Sequence, residues 1–143
     1  MRFHKTAATA ALCCVVLCCH GLALGAGQAE PLQPEVAFKV AAKRVSKDVV
    51  RVTLTAAPGY GIYRDRMAVS ADSAGAKVLS VAPEHTKQAG VDSKQYRGTT
   101  DLVVKVQQDR DEPLVLKASL QGCGDIGVCY MPMHVRVPVD AAN

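Results

Sequence analysis

Two cysteines stand six positions apart in the stretch Leu120 to Pro132, which reads L-Q-G-C-G-D-I-G-V-C-Y-M-P, and they are the residues of this chain best suited to chemistry. Cys123 and Cys129 can form a disulfide, which can either staple a fold or exchange electrons with other thiols. Gly122, Gly124 and Gly127 let the backbone turn tightly around them, through positive φ where needed, so that the sulfurs approach to bonding distance. On either side apolar and polar residues alternate: Leu114, Leu116, Ala118 and Leu120 before, Val135, Val137 and Val139 after. Half-buried strands read this way, and the spacing predicts a β-hairpin with a dithiol at its tip.

Whether the pair is oxidised depends on where the chain resides. Arg2, His4 and Lys5 precede an almost uncharged apolar run from Ala7 to Leu24, followed by the small residues Gly25, Ala26, Gly27 and Ala29. This is the pattern of a secretory signal peptide over residues 1–29, cleaved after Ala29 or, as second choice, after Gly25. A membrane anchor is the alternative, disfavoured because the run is barely long enough to span and no cationic stop follows it. Leu12, Cys13, Leu17 and Cys18 precede the four leader cysteines, so no small residue marks a lipidation site and no lipid anchor is expected. With the leader go Cys13, Cys14, Cys18 and Cys19, and six cysteines become two. An even pair in an exported protein implies a disulfide.

Removing Arg2 and Lys5 takes seventeen basic residues to fifteen against thirteen acidic ones, a net charge of +2. Arg64, Arg66, Lys77, Lys87 and Lys105 are dispersed, with no basic run or aromatic-interleaved patch, so nucleic-acid binding has no support. Residues 30–143 suffice for one domain with its own core. Glu30 to Pro34 carries two prolines and should be extended. Strands are expected over Val36 to Ala41, Val50 to Leu54, Tyr60 to Met67, Lys77 to Ala82 and Leu102 to Val106, then through the cysteine hairpin. Pro83 to Gly98, holding Tyr96 and an exposed His85, reads as a long loop. Turn signals about every ten residues, without an amphipathic helix, predict an all-β, immunoglobulin-like antiparallel β-sandwich.

Four landmarks in order, P-E-V-A-F (Pro34 to Phe38), G-Y-G-I-Y-R (Gly59 to Arg64), Y-R-G (Tyr96 to Gly98) and the Q-G-C-x-x-x-x-x-C-Y-x-P pattern from Gln121 to Pro132, cover nearly the whole mature chain. In them the chain resembles the N-terminal periplasmic domain of the DsbD thiol:disulfide interchange proteins. The resemblance implies a periplasmic immunoglobulin-fold domain, needing no cofactor, whose cysteines take electrons from a thioredoxin-like donor and pass them to oxidised thiol proteins. It implies Cys129 as the attacking sulfur, Cys123 as the resolving one, Tyr96 as an aromatic cap on a loop, and Tyr60 and Tyr63 beside the site. Met131 and Arg97 depart from it, standing where the family often has a proline and ordinarily an aromatic residue. No membrane domain or C-x-x-C thioredoxin domain follows in this sequence, so the expectation is either a membrane electron transporter on a separate chain or another electron donor, with the domain itself a monomer.

Two other readings stay open on the residues alone. Cys123–Cys129 can be a purely structural disulfide in a binding module, although closing so short a loop contributes only roughly 2 to 2.5 kcal/mol. Alternatively, Cys129, Met131, Met133 and His134 form a soft donor set suited to Cu(I), with His134 on the opposite strand face from the rest. Between the cysteines the only charged residue is Asp125, so nothing local in sequence stabilises a thiolate unless Arg64 or His134 lies close in space. Poorly ionising thiols are poor leaving groups, so their disulfide is comparatively stable and the dithiol comparatively reducing, which favours an electron donor over a disulfide-introducing catalyst.

Overall fold

The computed structural model describes residues 30–84, 94–109 and 113–140; the expected signal peptide, His85 and most of the expected loop after Pro83 lie outside them. In chain order the elements are a helical turn α1 (Pro34–Ala37) and strands β1 (Phe38–Ser46), β2 (Val49–Ala56) and β3 (Tyr60–Tyr63), then a 3-10 turn over Arg64–Arg66. There follow β4 (Ala68–Ala71), β5 (Ala76–Pro83), β6 (Gln95–Arg97), β7 (Thr99–Gln108), β8 (Val115–Leu120), β9 (Gly122–Gly124) and β10 (Met133–Asp140).

Seven strands form one sheet in the order β4-β8-β10-β1-β2-β7-β5, and β6-β3-β9 form a second, smaller one. The end strands β4 and β5 touch, so the large sheet folds over on itself around the core. The molecule is a β-sandwich. Every paired strand is antiparallel except β1 with β10, where Ala42 faces Val139.

Period-two alternation builds this core. In β2, Val50, Val52, Leu54 and Ala56 are buried between outward Arg51, Thr53 and Thr55. Leu102, Val104 and Val106 of β7 and Leu116, Ala118 and Leu120 of β8 continue the apolar layer. Fully burying a side chain of this kind contributes about 1.5–3 kcal/mol, which makes the sandwich a stiff base for whatever rides on it.

Three expectations need correction. The first strand starts at Phe38, not Val36: Pro34 pre-sets a helical φ, the N–H groups of Val36 and Ala37 both bond Gln33 O at 2.9 Å, and Val36 is 53% exposed. The third strand ends at Tyr63, where Arg64–Arg66 winds into its 3-10 turn. The segment read as loop to Gly98 ends in strand β6, because Gln95 to Arg97 find an edge of β3 to pair with.

Candidate functional site

The small sheet positions the cysteines. Across it, Tyr96 of β6, Ile62 of β3 and Gly122 of β9 form one row, and Arg97, Gly61 and Cys123 form the next. Adjacent rows point to opposite faces of a sheet. The first row faces the core, with Ile62 and Tyr96 buried, so Cys123 is directed outward. Gly122 permits this seating because a Cβ there would fall 2.6 Å from Gly61 O and run into the Phe38 ring. At Gly124, likewise, a Cβ would lie 2.8 Å from Tyr60 Cε1. These two glycines therefore serve close packing, and Gly127, at φ 86°, is the one in the loop between the cysteines that supplies the left-handed turn.

Leu120 of β8 pairs with Met133 of β10, as expected of a hairpin, but the segment joining them is no free tip. It crosses to the second sheet as β9 and turns back on itself. Gly124 N–H donates to Val128 O (2.8 Å) and Tyr130 N–H to Gly122 O (3.0 Å), so Cys123 and Cys129 face each other as a non-hydrogen-bonded pair. Such pairs hold the closest Cα atoms of an antiparallel ladder, here 4.0 Å, and the sulfurs are bonded at 2.02 Å. Asp125 N–H anchors the turn to Gly59 O at 2.7 Å. The two sulfurs are not equivalent: Cys123 is half-buried and Cys129 is exposed.

The surroundings of the disulfide come from distant parts of the chain. The Tyr63 hydroxyl donates to Cys123 Sγ at 3.6 Å. Arg97 grips the Asp125 carboxylate with two bonds, 2.8 and 3.1 Å, and its guanidinium also donates to Gln95 Oε1, which lies over Gly61. That grip, through its hydrogen bond first, holds the Asp125 carboxyl below the ordinary carboxylate value. Beside the sulfurs opens a cleft of about 650 Å³ lined by Tyr63, Arg64, Asp65, Arg66, Lys94, Gln121, Cys123 and Cys129. The premise that no cation stands near the thiols was true of local sequence and fails in three dimensions. His134 is not part of this wall; it sits on β10 and meets Ser119 Oγ at 2.8 Å.

Of the three tyrosines singled out by sequence, Tyr63 is at the sulfurs. Tyr60 is buried below β9, edge-on to Phe38 (ring centroids 6.0 Å) and 6.2 Å from Tyr130; its hydroxyl accepts the Leu32 N–H at 2.9 Å. Tyr130 in turn donates to Leu32 O, so the extended lead is pinned onto the back of the site. Desolvation, then the Tyr60 hydroxyl, raise the Tyr130 phenol above its ordinary pKa. Tyr96 is a correction: it lies in strand β6 rather than a loop, is 7% exposed, and occupies the core-facing row opposite in direction to Cys123. The Arg64 guanidinium covers its ring at 5.2 Å from the centroid, a cation–π contact. The sulfurs are instead flanked by Tyr63 and the Gln95–Arg97–Asp125 network.

The proposed Cu(I) donors are not assembled. Cys129 is in the disulfide, Met131 is 83% exposed, Met133 packs against the core, and His134 points to the other face of β10. Sequence reasoning missed Gln95, Arg66 and Lys94, because nothing in their local pattern distinguishes them from a solvated surface; Gln121 opens the cysteine landmark but was given no role at the site. Arg97 carried a signal, since it stood where an aromatic residue was expected.

Fold and site together define a β-sandwich domain that displays a cysteine pair from its smaller sheet. The family profile described as "Thiol:disulfide interchange protein DsbD, N-terminal" matches residues 28–141, and the chain belongs to that family. The DsbD of Ralstonia nicotianae is 37% identical over 130 residues, covering 85% of this chain and 21% of that protein. A DsbD of Pseudomonas aeruginosa, DsbD 1, is 29% identical over 113 residues, covering 76% and 19%. The chain thus spans about a fifth of the length of these relatives. Among solved structures, the reduced DsbD N-terminal domain of Neisseria meningitidis superposes with a TM-score of 0.59 at 26% identity, covering 76% of this chain and 89% of that one. A complex of the DsbD and PilB N-terminal domains from the same organism matches in fold, with a TM-score of 0.58 at 22% identity.

Proposed function

We propose that this domain performs thiol–disulfide exchange through Cys123–Cys129, taking electrons from a thioredoxin-like dithiol protein and handing them to oxidised thiol proteins of the periplasm. The carrying observation is the asymmetry of the pair: Cys129 is exposed to a partner, while Cys123 is half-buried with a hydroxyl donor at 3.6 Å. Membership in a family named for thiol:disulfide interchange supports the chemistry. A related fold that assembles with a PilB N-terminal domain supports a protein partner, as do Ile126 and Met131, 50% and 83% exposed beside Cys129.

A donor thiolate attacks Cys129 Sγ in line with the S–S bond; that bond breaks, and Cys123 departs as a thiolate bonded by Tyr63. The donor's second thiolate then attacks its own sulfur in the mixed disulfide and expels Cys129. Two electrons have moved, the donor is a disulfide, and the domain, protonated from solvent, is a dithiol. In the second half, the Cys129 thiolate attacks an acceptor disulfide and expels one acceptor sulfur. Cys123 then attacks Cys129, releasing the other and restoring the internal disulfide.

A structural role for the bond has less support. The backbone bonds at Gly124–Val128 and Gly122–Tyr130 already hold the two segments together. Trapping tests the assignment. Cys123→Ser, its remaining thiol first activated as a mixed disulfide with thionitrobenzoate, should form a stable disulfide through Cys129 with a thioredoxin-like protein that keeps only its attacking cysteine, expelling thionitrobenzoate, and Cys129→Ser treated in the same way should form little. Mass spectrometry showing predominant linkage through Cys123 would reverse the roles.

A further inference from the structure

The cleft beside the disulfide has a charge that the exchange chemistry does not require. Arg64, Arg66 and Lys94 line it against a single carboxylate, Asp65. All four are exposed. Elsewhere, Arg51, Arg97 and Arg136 each meet a carboxylate, those of Glu84, Asp125 and Asp72. Among the described residues, none of the three cleft cations has such a partner. Their positions are nevertheless held: Arg66 Nη1 donates to Gln121 Oε1 at 2.9 Å, Arg64 lies on the Tyr96 ring, and Arg64 N–H bonds Lys94 O at 3.0 Å. Because β3, its 3-10 turn and the start of β6 converge there, the cations share a wall with both sulfurs.

Resting on the exchange reading above, we infer that this cleft selects protein partners carrying acidic residues beside their reactive thiol. An approaching carboxylate meets unneutralised cations within a Debye length of the reacting sulfur, so opposite charge raises the encounter rate and like charge lowers it. The same cations favour the thiolate form of the incoming nucleophile, which is the reacting species. Selection acts on the first step, attack on Cys129, and leaves the electron balance of the exchange unchanged.

Two synthetic dithiol peptides with one Cys-x-x-Cys core, flanked by glutamates in the first and lysines in the second, test this, with dithiothreitol as the reductant that carries no charged flanking groups. At low ionic strength the acidic peptide should reduce Cys123–Cys129 about tenfold or more faster than the basic one, and 0.5 M salt should collapse the ratio, on the order of magnitude expected for steering. Arg66→Glu with Lys94→Glu, which leaves the Arg64–Tyr96 stack in place, should abolish or invert the ratio of the two peptide rates, while dithiothreitol still reduces the variant at a rate that reports the effect of the lost cations common to any attacking thiolate. Lys43→Glu with Lys105→Glu changes net charge equally on strands outside the cleft and should keep the preference. Equal rates for the two peptides, or loss of preference in the Lys43/Lys105 control to the same extent, would overturn the inference. Failure of dithiothreitol and both peptides to reduce the bond would instead overturn the exchange reading, and this inference with it.

Discussion

Replacing both cysteines by serine separates a redox bond from a staple, and the structure sets the size of the effect. The bond closes a loop spanning Cys123 to Cys129, for which the chain-entropy estimate is roughly 2 to 2.5 kcal/mol. That is an upper figure here, because the Gly124–Val128 and Tyr130–Gly122 backbone bonds, the Asp125 to Gly59 anchor and the Arg97–Asp125 pair remain in the variant. The core does not change either, since Leu54, Leu102, Leu116 and Leu120 lie in strands the bond does not touch. Against a typical domain stability of about 5–15 kcal/mol, the loss leaves a folded protein. At about 4 °C per kcal/mol for a domain of this size, the melting midpoint should fall by about 10 °C or less. Thermal unfolding followed by circular dichroism measures it, alongside exchange with a dithiol, which should vanish entirely. An unfolded variant, or a fall several times larger, would refute the reasoning and return the bond to a structural role.

Other substitutions probe the surroundings. Tyr63→Phe removes the hydroxyl that bonds the departing Cys123; a donor to a charged group contributes about 1.5–3 kcal/mol, so reduction by a dithiol should slow about tenfold or more with little change in stability, and an unchanged rate would remove Tyr63 from the mechanism. The Asp125 carboxyl titrates below its ordinary value of 3.8 because Arg97 grips it, so the stabilisation is present above that value and is lost as pH falls through the depressed one. Amide exchange in the turn between the cysteines should accelerate in that acid window in the parent and lose this dependence in Arg97→Gln; identical acid profiles would show that the pair does not order the turn. Gly122→Ala should cost about 1–3 kcal/mol in urea unfolding, because the new methyl meets Gly61 O and Phe38, and a neutral result would mean that β9 can lift off β3 freely.

Much of the β-sandwich was legible along the chain. Alternation in Val50 to Leu54 and Leu114 to Leu120 is set by the two-residue repeat of a strand, so the buried face can be read before any partner strand is known. The Q-G-C-x-x-x-x-x-C-Y-x-P spacing likewise announced the cysteine pair, because a short segment carries the whole motif. Local signals failed where pairing or packing decided the outcome. Pro34 turned the expected start of β1 into a helical turn, and an open edge on β3 drew Gln95 to Arg97 into a strand. That pairing also decided the direction of Tyr96: a shift of one residue in register reverses the face, and register depends on the partner strand rather than on the residue's own neighbours. The cations and the Tyr63 hydroxyl around the sulfurs come from segments about thirty to sixty residues away in sequence. Electrostatic environment depends on distance in space, and only the closing of β6, β3 and β9 into one sheet brought those groups to Cys123 and Cys129.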